Sequence, residues 1–204
     1  MVFVKASALL SLLAVASAAP TGDIEARSSP QAYSFLALRS ASPIHFQSWN
    51  ANSGNIWLGK PTAKYCPVAP AQCPKGTGTS FYVDNQYWTA SMNTVVPGGQ
   101  QLYIDPHGAL AYTQAHSASI PSGSLTTGFQ VKQSGGLWYF SHCEGGFLAC
   151  PLKKGTTGPW KIFIDGKRVL KDSDVPTKCK KDCLGFDAAG SRGDAGPLAV
   201  WQFI

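Results

Sequence analysis

The sequence predicts one all-β domain, an antiparallel sandwich or barrel stapled by disulfides, with a trefoil-like barrel as the alternative topology. Three observations carry this. Turn signals recur along the chain with short aromatic or β-branched runs on both sides, as in IHFQSWNANSGNIWLG and FQVKQSGGLWYF, and such flanks fit a pleated, half-buried surface. No long segment with a 3.6-residue apolar period occurs beyond the N-terminal apolar run. Six cysteines, Cys66, Cys73, Cys143, Cys150, Cys179 and Cys183, all lie beyond that run. An even number in an oxidising compartment implies a set of bridges.

The chain divides into three parts. Residues 1–18 read as a signal peptide: Lys5 opens it, ALLSLLAVASA is its apolar run, and Ala16-Ser17-Ala18 is a small-residue cleavage site. Residues 19–39 read as a disordered arm or pro-segment, because PTGDIEARSSPQ is polar and rich in Pro, Ser and Gly. Residues 40–204 are the single β-domain. Its turns are expected near Asn52-Ser53-Gly54, at Asp105-Pro106-His107-Gly108, at Ser134-Gly135-Gly136, at Glu144-Gly145-Gly146 and at Asp165-Gly166. No later stretch is apolar for long enough to span a bilayer, and the tail GPLAVWQFI is too short for a glycolipid-anchor signal. The expected location is therefore extracellular, either free or held outside the cell by contacts other than lipid.

Charge is sparse, at 14% of residues, while 21 glycines and 14 prolines make the chain turn-rich. The net charge is +6. The positive residues crowd between Lys153 and Lys181: Lys153, Lys154, Lys161, Lys167, Arg168, Lys171, Lys178, Lys180 and Lys181. Such a run is by default a solvated face. Its functional reading is a patch for an anionic wall polymer or membrane headgroups. Nucleic acid is not an expected partner of a secreted chain without a binding motif.

The stretch LYIDPHGALAYTQAHSAS brings Asp105, His107, His116, Ser117 and Ser119 close together in sequence and invites a hydrolase reading. Asp-Pro-His-Gly is, however, a type I turn sequence, which makes Asp105 and His107 turn residues first. No G-x-S-x-G occurs. A glycosidase needs two carboxylates flanking the bond it cleaves. The folded body holds one glutamate, Glu144, in a turn, and nothing singles out Asp84 or Asp187 as its partner. His45, His107, His116 and His142 show no metal-ligand spacing, and no C-x-x-C occurs. We therefore expect no catalytic residues, no metal and no cofactor. Arg192-Gly193-Asp194, in AGSRGDAGP, has the form of an adhesion tripeptide in an exposed loop. The six tryptophans, Trp49, Trp57, Trp88, Trp138, Trp160 and Trp201, are read mainly as core, with any exposed ones available to stack on sugar rings.

Several blocks in order resemble the fungal cell wall protein PhiA family: SASPIHFQ, IWLGK, YCP followed by CP, VPGGQQLYIDPHGALAYTQAHSASIPSG, GFLACP and CLGFDA. The resemblance implies a secreted, non-enzymatic protein of the fungal wall, linked to phialide and conidium development. Its implied partners are wall polysaccharide or wall proteins. It also implies recognition by host immunity, either as an IgE-binding allergen or as an elicitor of plant defence. Cys66, Cys73, Cys150 and Cys183 fall in the family-like blocks, and Cys143 and Cys179 do not. On that division the expected bridges are Cys66–Cys73, Cys150–Cys183 and Cys143–Cys179. A local Cys143–Cys150 bridge is disfavoured, since the turn between them does not set them opposite each other and bridging needs Cα atoms within about 7 Å.

Overall fold

The computed structural model describes residues 30–167 and 169–204. The signal peptide, residues 19–29 of the expected arm, and Arg168 lie outside the described residues. The chain forms fourteen described strands. The first six are β1 (Gln31–Leu38), β2 (Asn50–Asn52), β3 (Asn55–Leu58), β4 (Lys64–Tyr65), β5 (Phe81–Asp84) and β6 (Thr89–Met92). Then come β7 (Leu102–Ile104), β8 (Leu110–Tyr112), β9 (Phe129–Ser134) and β10 (Leu137–His142). The last are β11 (Gly145–Pro151), β12 (Trp160–Gly166), β13 (Leu184–Asp194) and β14 (Gln202–Phe203). Helical structure is confined to 3-10 turns and the single-turn α1 (Ala195–Leu198), so no described helix is long and apolar enough to cross a membrane.

Twelve strands make one antiparallel sheet in the order β6-β5-β1-β13-β10-β11-β12-β3-β8-β7, with β2 on β3 and β9 on β10; β14 and β4 pair separately. The long strand β13 is the spine. One edge pairs with all of β1, from Gln31↔Asp194 to Leu38↔Asp187. Its other edge serves β11 through Leu184–Phe186 and then β10 through Ala188–Gly190. The ends of the sheet meet only at the isolated bridge Ser91↔Gln101, so the sheet wraps around its core as a sandwich does, without closing into a barrel.

The expected boundary at residue 40 moves. Residues 31–38, assigned to the arm, form β1, whose alternating burial puts Tyr33, Phe35 and Ala37 in the core. The segment directly follows a polar, Ser- and Pro-rich run, and its pairing with β13 reveals it as a strand. Three of the expected turns stand as read, Asp105-Pro106-His107-Gly108 between β7 and β8 among them. Ser53 (φ 51°) and Gly54 (φ 71°) close β2–β3, and Gly135 (φ 55°) and Gly136 (φ 82°) close β9–β10. Two residues with positive φ give the turn whose twist matches the flanking strands. The β10–β11 turn falls one residue earlier than read, on Cys143 and Glu144, with His142 opposite Gly145. Asp165-Gly166 is not a hairpin turn. Both residues extend β12 and pair with Gly146 and Gly145. Asp165 then accepts the Leu170 N–H at 3.0 Å, which fixes the departing chain.

The core is aromatic. Trp49, at 1% exposure, stands edge-on to Phe35, Phe81, Phe140, Phe147 and Phe186. A second, smaller cluster of Ala109, Cys150, Phe163, Leu170 and Val175 lies around the Cys150–Cys183 bridge. Of the tryptophans, Trp49, Trp57 and Trp160 are buried, Trp138 and Trp201 are half-buried, and Trp88 is exposed.

Cys66–Cys73 and Cys150–Cys183 are bridged, while Cys143 and Cys179 are free thiols, so the expected Cys143–Cys179 bridge is absent. The register explains this. Cys143 lies at the β10–β11 turn, its N–H bonded to the Gly128 carbonyl at 3.0 Å and its sulfur beside Gly128. Cys150 pairs with Lys161 at the far end of β11. Cys179 lies just before Cys183, whose bridge to Cys150 sits a strand length of roughly 20 Å from the turn.

His142 braces that turn. Its Nε2–H donates to the Thr127 carbonyl at 2.9 Å, and its Nδ1 accepts the Glu144 N–H at 3.1 Å. Both bonds belong to the neutral ring. Burial lowers the His142 pKa, outweighing its carbonyl partner and Glu144. The unfolded chain therefore binds the proton first, so this contribution to stability is complete above the ordinary pKa near 6.5 and falls as pH drops below it. Denaturant melts at pH 7.5 and pH 5 should show that loss in the native chain and a smaller one in His142→Gln. An equal loss in both would contradict the assignment.

Candidate functional site

The hydrolase-like cluster comes apart in the structure. One Asp105 carboxylate oxygen accepts the N–H groups of His107 at 2.9 Å and Ala109 at 2.8 Å, and the Gly108 N–H closes onto the Asp105 carbonyl. Asp105 thus builds the β7–β8 turn. The His107 ring turns away to Asp174, 3.1 Å from Nδ1 to carboxylate, and pins the segment after β12 to that turn. His116 sits in the loop beyond β8, where Ser117 accepts the Ser119 N–H at 3.2 Å. Among the described residues no hydrogen bond joins Ser117 or Ser119 to a histidine.

What the same loop does build is a groove. Along β5, β6 and the run into β7 the odd and even positions part: Phe81, Met92, Leu102 and Ile104 are buried, while Tyr82, Ser91, Gln101 and Tyr103 face outward, and all of β8 is buried. Pairing sets Tyr82 opposite Ser91 and Ser91 opposite Gln101, and joins Tyr103 through the buried Ala111 to Asn55. The loop after β8 forms a bank along this line. Three adjoining hollows result, of about 350, 320 and 460 Å³. The first two share Gly98, Gly99 and Gln101, and the last two share Thr113 and Ser117. A fourth, of about 360 Å³, continues past His116 to the C-terminus.

The groove is polar and nearly neutral. Its charged walls are Asp84, Asp105 and Lys161. Asp84, like Asp105, is committed to its turn, accepting the N–H groups of Gln86 and Tyr87 at 2.8 and 3.1 Å. Lys161 is half-buried above the Phe163 ring; burial lowers its pKa and Asp105 partly restores it. Burial raises the Tyr82 and Tyr103 hydroxyls. At the far end the Tyr112 hydroxyl accepts the Gly54 N–H at 3.2 Å and donates to the Ile204 carbonyl at 3.1 Å, and burial pushes its pKa up to about 12. Sequence reasoning missed this site because its walls come from strands far apart in the chain; the outward alternation around Tyr103 was its one local signal.

The basic segment does not gather on one face. Lys153 and Lys154 are exposed between β11 and β12, and Lys167 follows β12 at its other end, roughly 20 Å away by strand length. Lys161 faces the groove. Lys180 pairs with Asp165 at 2.6 Å, and Lys178 donates to the Ser173 carbonyl at 2.6 Å. Lys171 and Lys181 are exposed. Arg192-Gly193-Asp194 is no loop: it ends β13, paired with Tyr33, Ala32 and Gln31. Arg192 lies 4.5 Å over the Trp138 ring, and Asp194 accepts from the Gln31 amide at 2.9 Å. The flanking glycines suggested a loop; here Gly190 is a β13 residue against the Ser34 backbone, and Gly196 lies in α1 just after the strand. Among the described residues no three His, Cys, Asp or Glu side chains gather to hold a metal.

A family model described as PhiA-like secreted protein matches residues 33–204. The chain belongs to this family. The PhiA-like region begins within β1 and takes in the whole sheet, both bridges and the groove, as the resemblance in the sequence led us to expect. An uncharacterized secreted protein of Arthroderma benhamiae is 34% identical over 153 residues, covering 72% of this chain and 73% of that one. The cell wall protein phiA of Emericella nidulans is 29% identical over 154 residues, covering 71% and 72%. No solved structure matches the chain. As a member of the PhiA-like family, the protein is secreted.

Proposed function

We propose that this protein resides in the fungal cell wall and acts there as a non-enzymatic structural and interaction protein, tied to phialide and conidium development. The observation that carries this is its match, across the whole β-sheet, to a family that includes a protein named as a cell wall protein. The state of the carboxylates favours binding over catalysis. Asp84, Asp105, Asp165 and Asp174 each accept backbone N–H groups that hold turns, so none is left poised over the groove as half of an acid–base pair. Its exposed surface is also what host immunity would meet, through IgE or a plant defence receptor. The test is co-sedimentation of the mature protein with whole fungal walls, chitin and β-glucan, with sugar assayed in the supernatant. The expected result is retention without sugar release. Sugar release would contradict the non-enzymatic role, and no retention on any wall fraction would contradict the wall role.

A further inference from the structure

The geometry points to the groove across β5, β6, β7, β8 and β3 as a binding site for a single chain of neutral polysaccharide. This rests on the wall-interaction role proposed above and specifies the surface and the ligand. Its length comes from the sheet. Tyr82, Ser91, Tyr103, Ala111 and Asn55 occupy five neighbouring strands. Four steps of about 4.8 Å span about 19 Å, room for about four pyranose units lying across the strands.

Its chemistry comes from the walls. Tyr82 and Tyr103 are half-exposed aromatic rings on the same outward face, each able to lie against the apolar face of a sugar ring. Gln101, Gln114, Ser117 and Asn55 offer neutral amides and hydroxyls at the intervening positions. Amides and hydroxyls both donate and accept, as sugar hydroxyls do. The fixed charges argue against the other ligand class. Two carboxylates, Asp84 and Asp105, stand against the single ammonium of Lys161, so the groove offers a polyanion no net attraction. The exposed cations Lys153 and Lys154 stand in the β11–β12 loop and line none of these hollows.

Titration calorimetry of the mature chain with chitohexaose, a soluble β-1,3-glucan and polygalacturonate tests this. Gln101 and Tyr103 are suited to substitution, since the Gln101 side chain is exposed and Tyr103 lies outside the core cluster. Each of Gln101→Ala and Tyr103→Ala should weaken binding of a neutral chain about threefold to tenfold, the scale of one lost contact, while Tyr103→Phe keeps it and Lys153→Ala/Lys154→Ala has no effect. Unchanged affinity in folded Gln101→Ala and Tyr103→Ala variants would overturn the groove, and retention of those variants on whole walls would show that the wall role survives it. Tighter binding of polygalacturonate than of either neutral chain would also overturn it.

Discussion

Replacing Trp49 with alanine should lower the stability of the fold by about 4 kcal/mol, near the upper end for a single core truncation. The residue is 1% exposed. Its ring centroid lies 5.1 Å from that of Phe147, 5.7 Å from Phe140 and 5.8 Å from Phe35, with Phe81 and Phe186 each at 6.1 Å. Those five rings belong to β1, β5, β10, β11 and β13, so one side chain fills the space where the middle strands of the sheet face the core. Alanine would lose both the transfer energy of the indole and the contacts of the rings around the void. For a domain of this size the midpoint should fall by about 8–16 °C. Phenylalanine should cost less, because it keeps most of the packing and removes a buried indole N–H that has no hydrogen-bond partner. Thermal melts of the three proteins decide it; a loss below about 1 kcal/mol for Trp49→Ala would mean that the core closes elsewhere.

The second large effect belongs to the Cys150–Cys183 bridge. It closes a separation of 33 residues, against 7 for Cys66–Cys73. By loop-closure entropy the first stabilises by about 4 kcal/mol and the second by about 2 kcal/mol. The longer loop contains β12, including Phe163 of the second cluster. Cys150→Ala with Cys183→Ala should therefore lower the denaturation midpoint about one and a half times as far as Cys66→Ala with Cys73→Ala. The reverse order would contradict the assignment. Thiol titration of the unfolded, unreduced chain should find two thiols, and a peptide map joining Cys143 to Cys179 would overturn the pairing described here.

What the sequence made legible was local chemistry. Gly54, Gly135 and Gly136 close hairpins because glycine takes the positive φ those turns need. Asp105 caps its own turn whatever the rest of the chain does. Readings that depended on a distant partner went differently. β1 looked like the end of an arm until β13 supplied its eight-residue ladder. Asp165-Gly166 carries a hairpin signal that pairing with Gly145-Gly146 overrides. The tripeptide Arg192-Gly193-Asp194 lies in a Gly-rich run, yet β1 beside it makes that run a strand. Cys143 and Cys179 each suggested a partner only because the count was even; strand register, which the sequence does not state, keeps them apart. The groove belongs to the same class. Tyr82, Gln101 and Asn55 fall along one groove only once the strand order is known.

The most direct test of a neutral-polysaccharide wall protein is the salt dependence of its binding to native fungal walls. A ligand held by stacking and neutral hydrogen bonds is insensitive to ionic strength, whereas one held by exposed lysines is released as the Debye length shrinks from about 10 Å at 0.1 M to about 3 Å at 1 M salt. Retention on walls should be the same at both concentrations, and excess soluble β-glucan or chitohexaose should displace it. Release at 1 M salt, with no displacement by either sugar, would contradict the account and move the binding surface to the lysines.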